Sequence, residues 1–158
     1  MSTYLLGLLV FIQSLNAIIT DDGANPSICE NYKNVEEQFK CGPKGYPLNY
    51  GYKNCLIFTN KSTLENFSPK GQKFVGCSSL CLISALYNIS QNSETCHEIQ
   101  DKAFKSHVDC YLQCDFCDVC KSQKIALLKS YDWTDFMSME AVRQVFAIVR
   151  QCGVFNCF

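Results

Sequence analysis

The sequence predicts an all-α fold, a small disulfide-rich helical domain with about five helices and an irregular Gly/Pro/Tyr loop near its N-terminus. Three observations predict this class. The chain has 12 cysteines among 158 residues, a density typical of a disulfide scaffold. Apolar residues recur at three- and four-residue intervals, several of them after helix-capping sequences. No segment shows the alternating pattern that would predict a convincing strand.

The N-terminus has the pattern of a secretory signal peptide. An apolar run extends from Tyr4 to Ile12, and small or polar residues and the pair Asp21 and Asp22 follow it. This run is too short for a membrane span, which needs about 20 apolar residues. We therefore expect residues 1–20 to be a signal peptide that is cleaved near 17–20. Residues 21–158 would then form one domain that is secreted into an oxidising, extracellular environment, where disulfides persist.

Composition argues against several classes of partner. The net charge is −1, and Lys and Arg are scattered rather than clustered, so we expect no nucleic-acid binding. After the leader, the longest apolar stretch, 141–149, is interrupted by Arg143 and Gln144, so we expect no membrane insertion. We expect neither a cofactor nor a metal ion. Three glycosylation sequons predict exposed, glycan-bearing positions, namely Asn60, Asn66 and Asn88.

Capping signals and apolar spacing locate the first helix and the loop after it. Ser27 and Glu30 have the spacing of a capping box, which predicts a helix over about 28–39. The Gly- and Pro-rich stretch from Gly42 to Cys55 predicts a break in regular structure. Its tyrosines are expected to pack onto the core, and these are Tyr46, Tyr50 and Tyr52.

The remaining helices follow from the same spacing rules. The run from 72 to 88 has one apolar stripe of Phe74, Cys77, Cys81, Leu82, Ala85 and Ile89. Thr95 and Glu98 form a second capping box, which opens a helix that buries Ile99, Ala103, Phe104 and Val108. Residues 121–131 contain the apolar group Ile125, Leu127 and Leu128. Ser138 caps a last helix that carries Met139, Val142, Val145, Phe146 and Val149 and stops at Gly153.

The cluster Cys114, Cys117 and Cys120 allows three interpretations. A CxxC pair can be a redox centre, or it can bind zinc together with a ligand such as His97 or His107. Both interpretations need reduced cysteines. The predicted secretion and the even cysteine count favour structural disulfides instead. We therefore expect all the cysteines to be bridged: Cys29, Cys41, Cys55, Cys77, Cys81, Cys96, Cys110, Cys114, Cys117, Cys120, Cys152 and Cys157.

Two further motifs have possible functional interpretations. His107 and Asp109, just before Cys110, are faintly similar to the secreted phospholipase A2 site, in which His and Asp are adjacent. Here they are two residues apart and face different sides of a helix. His107 is therefore predicted to be a capping or surface histidine, and a secreted hydrolase of this type is the alternative function. Trp133 is predicted to be a core residue, with a partner-binding anchor as its alternative.

A longer pattern links the central segment to a known family. Gly71-Gln72-Lys73-Phe74-Val75 lies ten residues before Cys81, and the cysteines then follow C-x14-C-x13-C-Y-x5-C from Cys81 to Cys117. Arg150-Gln151-Cys152 matches the end of the family's last core helix. With these motifs, residues 55–152 resemble stanniocalcin, a family of secreted, disulfide-linked glycoprotein hormones.

The resemblance implies a bridge pattern. It implies that Cys81 pairs with Cys110, that Cys117 pairs with Cys152, and that Cys96 reaches an N-terminal cysteine. Cys41 is the most plausible partner for Cys96, which leaves Cys29 for Cys55. The other four cysteines have no counterpart in the family, and simple spacing suggests Cys77–Cys114 and Cys120–Cys157 as hypotheses. The resemblance also allows a homodimer, which would be covalent if Cys157 replaces the family's dimerisation cysteine.

The expected function follows from the resemblance and from the lack of a convergent set of acid, base and nucleophile. We expect a secreted, non-enzymatic protein that binds an extracellular protein, either a receptor or a protease. The resemblance implies hormone-type regulation of ion balance or inhibition of a secreted metalloprotease. Alternatives are the phospholipase-type hydrolase and a structural extracellular component.

Overall fold

A computed structural model describes residues 25–131 and 139–157, and within these ranges the chain forms nine α-helices and no strand. The predicted all-α, disulfide-rich class is confirmed, although the helices outnumber the expected five because several segments divide into short helices. They are α1 (Glu30–Phe39), α2 (Lys53–Thr59), α3 (Lys61–Leu64), α4 (Pro69–Gln91), α5 (Cys96–Gln113), α6 (Phe116–Ser122), α7 (Lys124–Lys129), α8 (Met139–Cys152) and α9 (Val154–Cys157). The predicted signal peptide, Trp133 and Ser138 lie outside the described ranges.

The entry to α1 differs from the predicted capping box. A 3₁₀ turn, Pro26–Cys29, precedes α1, and the Asn25 side chain caps that turn by accepting from the Ser27 amide at 3.0 Å. The Glu30 carboxylate accepts from the Lys33 ammonium at 3.1 Å and from the Tyr52 hydroxyl at 3.2 Å. The capping box of Ser27 and Glu30 is therefore wrong, because the turn continues directly into α1 and Glu30 is engaged elsewhere.

The predicted irregular loop is helical from Pro47 onward. Pro47–Tyr52 forms a π-helical turn that continues into α2. Proline suits the start of a helical segment, where no amide donor is needed. A Cβ added at Gly51 would clash with the Tyr32 ring, so glycine is what allows this turn to approach α1. Tyr46 is buried, and Tyr50 and Tyr52 pack against the same core, so the prediction for the three tyrosines is confirmed.

Helices α4 and α5 pack together and carry much of the core. The predicted capping box of α5 forms, with the Glu98 amide donating to the Thr95 hydroxyl at 3.2 Å. Ile99, Ala103 and Phe104 are buried as predicted, and Val108 is partly buried. The stripe predicted for α4 is borne out in part: Phe74 is buried and Cys81, Leu82, Ala85 and Ile89 are partly buried, whereas Cys77 is exposed. The buried residues of α4 are Gly71, Phe74, Val75, Ser78, Leu86 and Ser90.

The C-terminal helices bury only some of the apolar residues noted in the sequence. On α7, Ala126 is buried and Leu127 is partly buried, whereas Ile125 and Leu128 are exposed. On α8, Met139 and Phe146 are 61% and 71% exposed. The buried residues of α8 are Ala141, Gln144, Ile148, Val149 and Cys152. The predicted stop at Gly153 is confirmed, with φ at +85°.

Helix α4 is long and apolar enough to cross a membrane by length and composition, the one such helix within the described ranges. The expectation that no segment after the leader meets this criterion is therefore wrong. In the fold, however, α4 is linked through Cys77 and Cys81 to Cys114 and Cys110. It also buries apolar residues in two of the core clusters. It therefore packs as a central helix of this domain.

Candidate functional site

All twelve cysteines are paired, and the pairs link successive parts of the fold. Each bridge joins α-carbons 5.0–5.7 Å apart, which is ordinary disulfide geometry. The pairs coincide with those that the resemblance implied and with those that spacing suggested. They are Cys29–Cys55, Cys41–Cys96, Cys77–Cys114, Cys81–Cys110, Cys117–Cys152 and Cys120–Cys157.

Two of these bridges meet where α6 packs against α8 and α9. The sulfur atoms of Cys120, Cys152 and Cys157 all lie within 4.8 Å of one another, and Cys117 is bonded to Cys152. We call these four residues the C-terminal sulfur cluster. Cys120, Cys152 and Cys157 are buried, whereas Cys117 is partly exposed.

The bridges favour the structural interpretation of Cys114, Cys117 and Cys120 over the zinc-binding and redox interpretations. Cys114, Cys117 and Cys120 are each in a disulfide, so none offers the thiolate that zinc or redox chemistry uses in the reduced state. Cys157 is bonded to Cys120 of the same chain. In this state it is not available as the sulfur of a covalent dimer.

His107 is buried, which corrects the prediction of a capping or surface histidine. His107 is 4% exposed, and its Nδ1 lies 2.7 Å from the Ala103 carbonyl oxygen. Since a carbonyl only accepts, Nδ1 donates in this pair. The rings of Tyr46, Tyr50 and Tyr111 surround the imidazole with centroids 5.8–6.3 Å away. Burial lowers the pKa of His107 to about 4, against the opposing effect of the Ala103 hydrogen bond, so the ring is neutral at neutral pH.

Burial also affects the tyrosines near His107. Burial raises the pKa of Tyr32 to about 12. The pKa values of Tyr46 and Tyr111 are also raised, chiefly by burial. A cavity of about 40 Å³ lies beside His107, with Tyr111 and Ser78 in its wall. That is enough room for a buried water molecule.

Asp109 does not share the environment of His107. It lies exposed on α5, while His107 points into the aromatic cluster. This placement agrees with their two-residue spacing, which directs the side chains to different sides of the helix. The structure therefore does not bring the His and Asp of the phospholipase-like motif together.

The three sequon asparagines are exposed, as a glycan-bearing side chain must be. The Asn60 side-chain oxygen caps α3 by accepting from the Ser62 amide at 2.9 Å. Asn66 donates to the Ser62 carbonyl oxygen at 2.7 Å. Asn88 lies on the outer side of α4.

Helix α8 presents an exposed mixed surface. Met139, Arg143, Phe146 and Arg150 are exposed and follow one another at helical spacing, so they share a side that we call the outer face of α8. Among the described residues, neither guanidinium is in contact with a carboxylate. The spacing of apolar residues predicted the helix but not that Met139 and Phe146 would lie on its exposed side.

Comparison with protein-family models, with curated proteins and with solved structures finds no match to this chain.

Proposed function

We propose that this protein is a secreted, non-enzymatic binding or signalling protein of the stanniocalcin type. It would regulate ion balance as a hormone does, or inhibit an extracellular metalloprotease. The observation that carries the proposal is the bridge pattern. The pairs Cys41–Cys96, Cys81–Cys110 and Cys117–Cys152 are those that the resemblance implied.

The physical character of the molecule supports recognition of another protein. Helices held by six bridges lose little conformational freedom when a partner binds, which favours affinity. Exposed aromatic and arginine side chains are the residue types that dominate binding energy at interfaces. The outer face of α8 supplies both, and the positive charge of its two arginines favours an acidic protein surface as the partner.

The proposal is tested by expressing the tagged protein in animal cells and assaying the medium. We expect the protein to appear in the medium without its leader and with glycan on at least one of the three sequons. The purified protein is then tested for inhibition of extracellular metalloproteases and for saturable binding to receptor-bearing cells. Retention inside the cell, or free thiols in the secreted protein, would overturn the proposal.

A pair of aromatic substitutions tests the role of the outer face of α8. Phe146→Ser removes an exposed ring from that face, and Tyr87→Ser removes a similarly exposed ring from α4. We expect the first to weaken protease inhibition or cell binding at least tenfold and the second to leave it unchanged. Equal effects of the two would place the binding face elsewhere.

A hydrolase assay distinguishes the rival function. Calcium-dependent hydrolysis of micellar phospholipid that is abolished by Asp109→Asn would replace this proposal. Asp109 is exposed, so that substitution keeps the fold.

A further inference from the structure

We propose that the C-terminal sulfur cluster is a thiol-exchange site. At this site a small thiol converts the bridges Cys117–Cys152 and Cys120–Cys157 into the local pairs Cys117–Cys120 and Cys152–Cys157. This goes beyond the proposed function and does not depend on it.

The first observation is the closeness of the sulfur atoms. Once the Cys117–Cys152 bridge opens, the freed Cys152 sulfur lies within 4.8 Å of the Cys157 sulfur. A thiolate exchanges with a disulfide by direct attack on one of its sulfurs. No other three cysteine sulfurs in residues 25–131 and 139–157 form such a group. The chemistry is therefore confined to one place in the fold.

The second observation is that both new pairs are short-range. Cys117 and Cys120 lie three residues apart on α6, where helix geometry sets their α-carbons about 5 Å apart. That separation falls within the range that a disulfide spans. Cys152 and Cys157 lie on either side of Gly153, where the helix is interrupted. Local rearrangement is therefore enough to form both pairs.

The third observation is the accessibility of one sulfur-bearing residue. Cys117 is partly exposed, whereas the other three members of the cluster are at most 8% exposed. Access is one of the factors that decide which sulfur of a disulfide is attacked. An external thiol therefore enters at Cys117.

The exchange runs in three balanced steps. The external thiolate attacks the Cys117 sulfur, the bond to Cys152 breaks, and Cys152 leaves as a thiolate. The Cys152 thiolate then attacks the Cys157 sulfur, and Cys120 leaves as a thiolate. Finally, the Cys120 thiolate attacks Cys117 and expels the external thiolate. Two disulfides exist before and after, so no electrons are consumed and the thiol is regenerated.

The exchange changes which helices the two bridges join. In the present pairing they fasten α6 to α8 and α9. In the exchanged pairing each bridge closes a loop within its own segment, and α6 is linked to α8 and α9 by packing alone. A small thiol thereby loosens the C-terminal part of the domain without reducing it.

The test is mass mapping after incubation of the folded protein with substoichiometric glutathione at mildly alkaline pH, followed by acid quenching, alkylation of the free thiols and digestion with trypsin. In the present pairing, the tryptic fragment that begins at Gln151 is tied by two bridges to the fragment that spans 106–121. After exchange, it is released with its own internal bridge. We expect this release while Cys77–Cys114 and Cys81–Cys110, which serve as internal controls, stay intact.

The double variant Cys120→Ser/Cys157→Ser is the matched control, because it keeps Cys117–Cys152 and removes the relay. In this variant we expect release only with stoichiometric thiol and by reduction. The proposal is overturned if the native fragment stays attached, if it is released with alkylated cysteines, or if the variant releases it equally with substoichiometric thiol.

Discussion

His107 shows how strongly a fold changes the chemistry of one side chain. Its neighbours on the same face of α5 are Ala103, Phe104 and Tyr111, at the three- and four-residue spacing of a buried stripe. That spacing predicts that His107 is buried. Its nearness to Asp109 in the sequence suggested a surface site instead. The result is an imidazole that stays neutral well below the pH at which free histidine is protonated.

The burial of His107 predicts acid sensitivity. The pKa of histidine is about 6.5 in the unfolded chain and about 4 here. The unfolded state therefore binds more protons between these values, and the stabilisation is complete above pH 6.5 and lost as the pH falls toward 4. His107→Gln should flatten the pH dependence of the unfolding free energy by up to about 1.4 kcal/mol per pH unit, measured by urea denaturation. His97→Gln is the control, because His97 is 82% exposed, and equal slopes in the two variants would contradict the prediction.

Two isoleucines of opposite burial give a second prediction. Ile99 is fully buried, whereas Ile125 is 66% exposed. Ile99→Ala should lower the free energy of unfolding by about 2–5 kcal/mol, because it removes buried methyl groups and leaves a cavity. Ile125→Ala should change it by less than about 0.5 kcal/mol. Thermal or chemical denaturation measures both, and similar losses would show that the burial assigned to these residues is wrong.

Among the helices, α5 was predicted best because the residues at its N-terminus determine where it begins. The Thr95 and Glu98 side chains each satisfy a backbone amide at the first turn. Such a cap depends only on local sequence, whereas the buried faces of α7 and α8 depend on what packs against them. Ile125 and Phe146 share the helical spacing of the apolar residues around them but are both exposed, so spacing alone did not show which side of each helix is buried.

The cap of α5 can be tested directly. Thr95→Ala removes the hydroxyl that accepts from the Glu98 amide and should reduce the free energy of unfolding by about 1 kcal/mol. Thr95→Ser keeps an accepting hydroxyl and should retain most of that stability. A loss as large with serine as with alanine would show that the methyl group, rather than the cap, is what matters.

Across the whole molecule, the pairing of the cysteines was the most predictable feature. The resemblance implied four of the six pairs and simple spacing suggested the other two, and all six are present. The π-helical turn at Pro47–Tyr52 could not be read in this way. Its Pro and Gly residues signal a break in most contexts, and only the Tyr32 ring against Gly51 explains why the chain coils there. The proximity of Cys120, Cys152 and Cys157 likewise needs the tertiary fold.

The bridge Cys41–Cys96 closes a loop of 55 residues and joins the segment after α1 to the start of α5. Removing it as Cys41→Ser/Cys96→Ser should lower the free energy of unfolding by about 3–4 kcal/mol, because the unfolded chain regains the freedom of a long loop. Denaturation of the non-reduced variant measures this loss. A change below about 1 kcal/mol would contradict the prediction.

The six bridges also divide the cross-linked part of the chain into two stretches that no disulfide joins. Every peptide bond from 30 to 114 lies inside at least one bridged loop, and so does every bond from 117 to 157, but no bridge crosses the junction at Asp115 and Phe116. Asp115 is exposed there, with φ at +62°. A single proteolytic nick at this junction would therefore yield two fragments with no covalent link between them, held by packing such as the core cluster that contains both Ala141 and Ile99. A nick within either bridged stretch would leave its ends covalently joined.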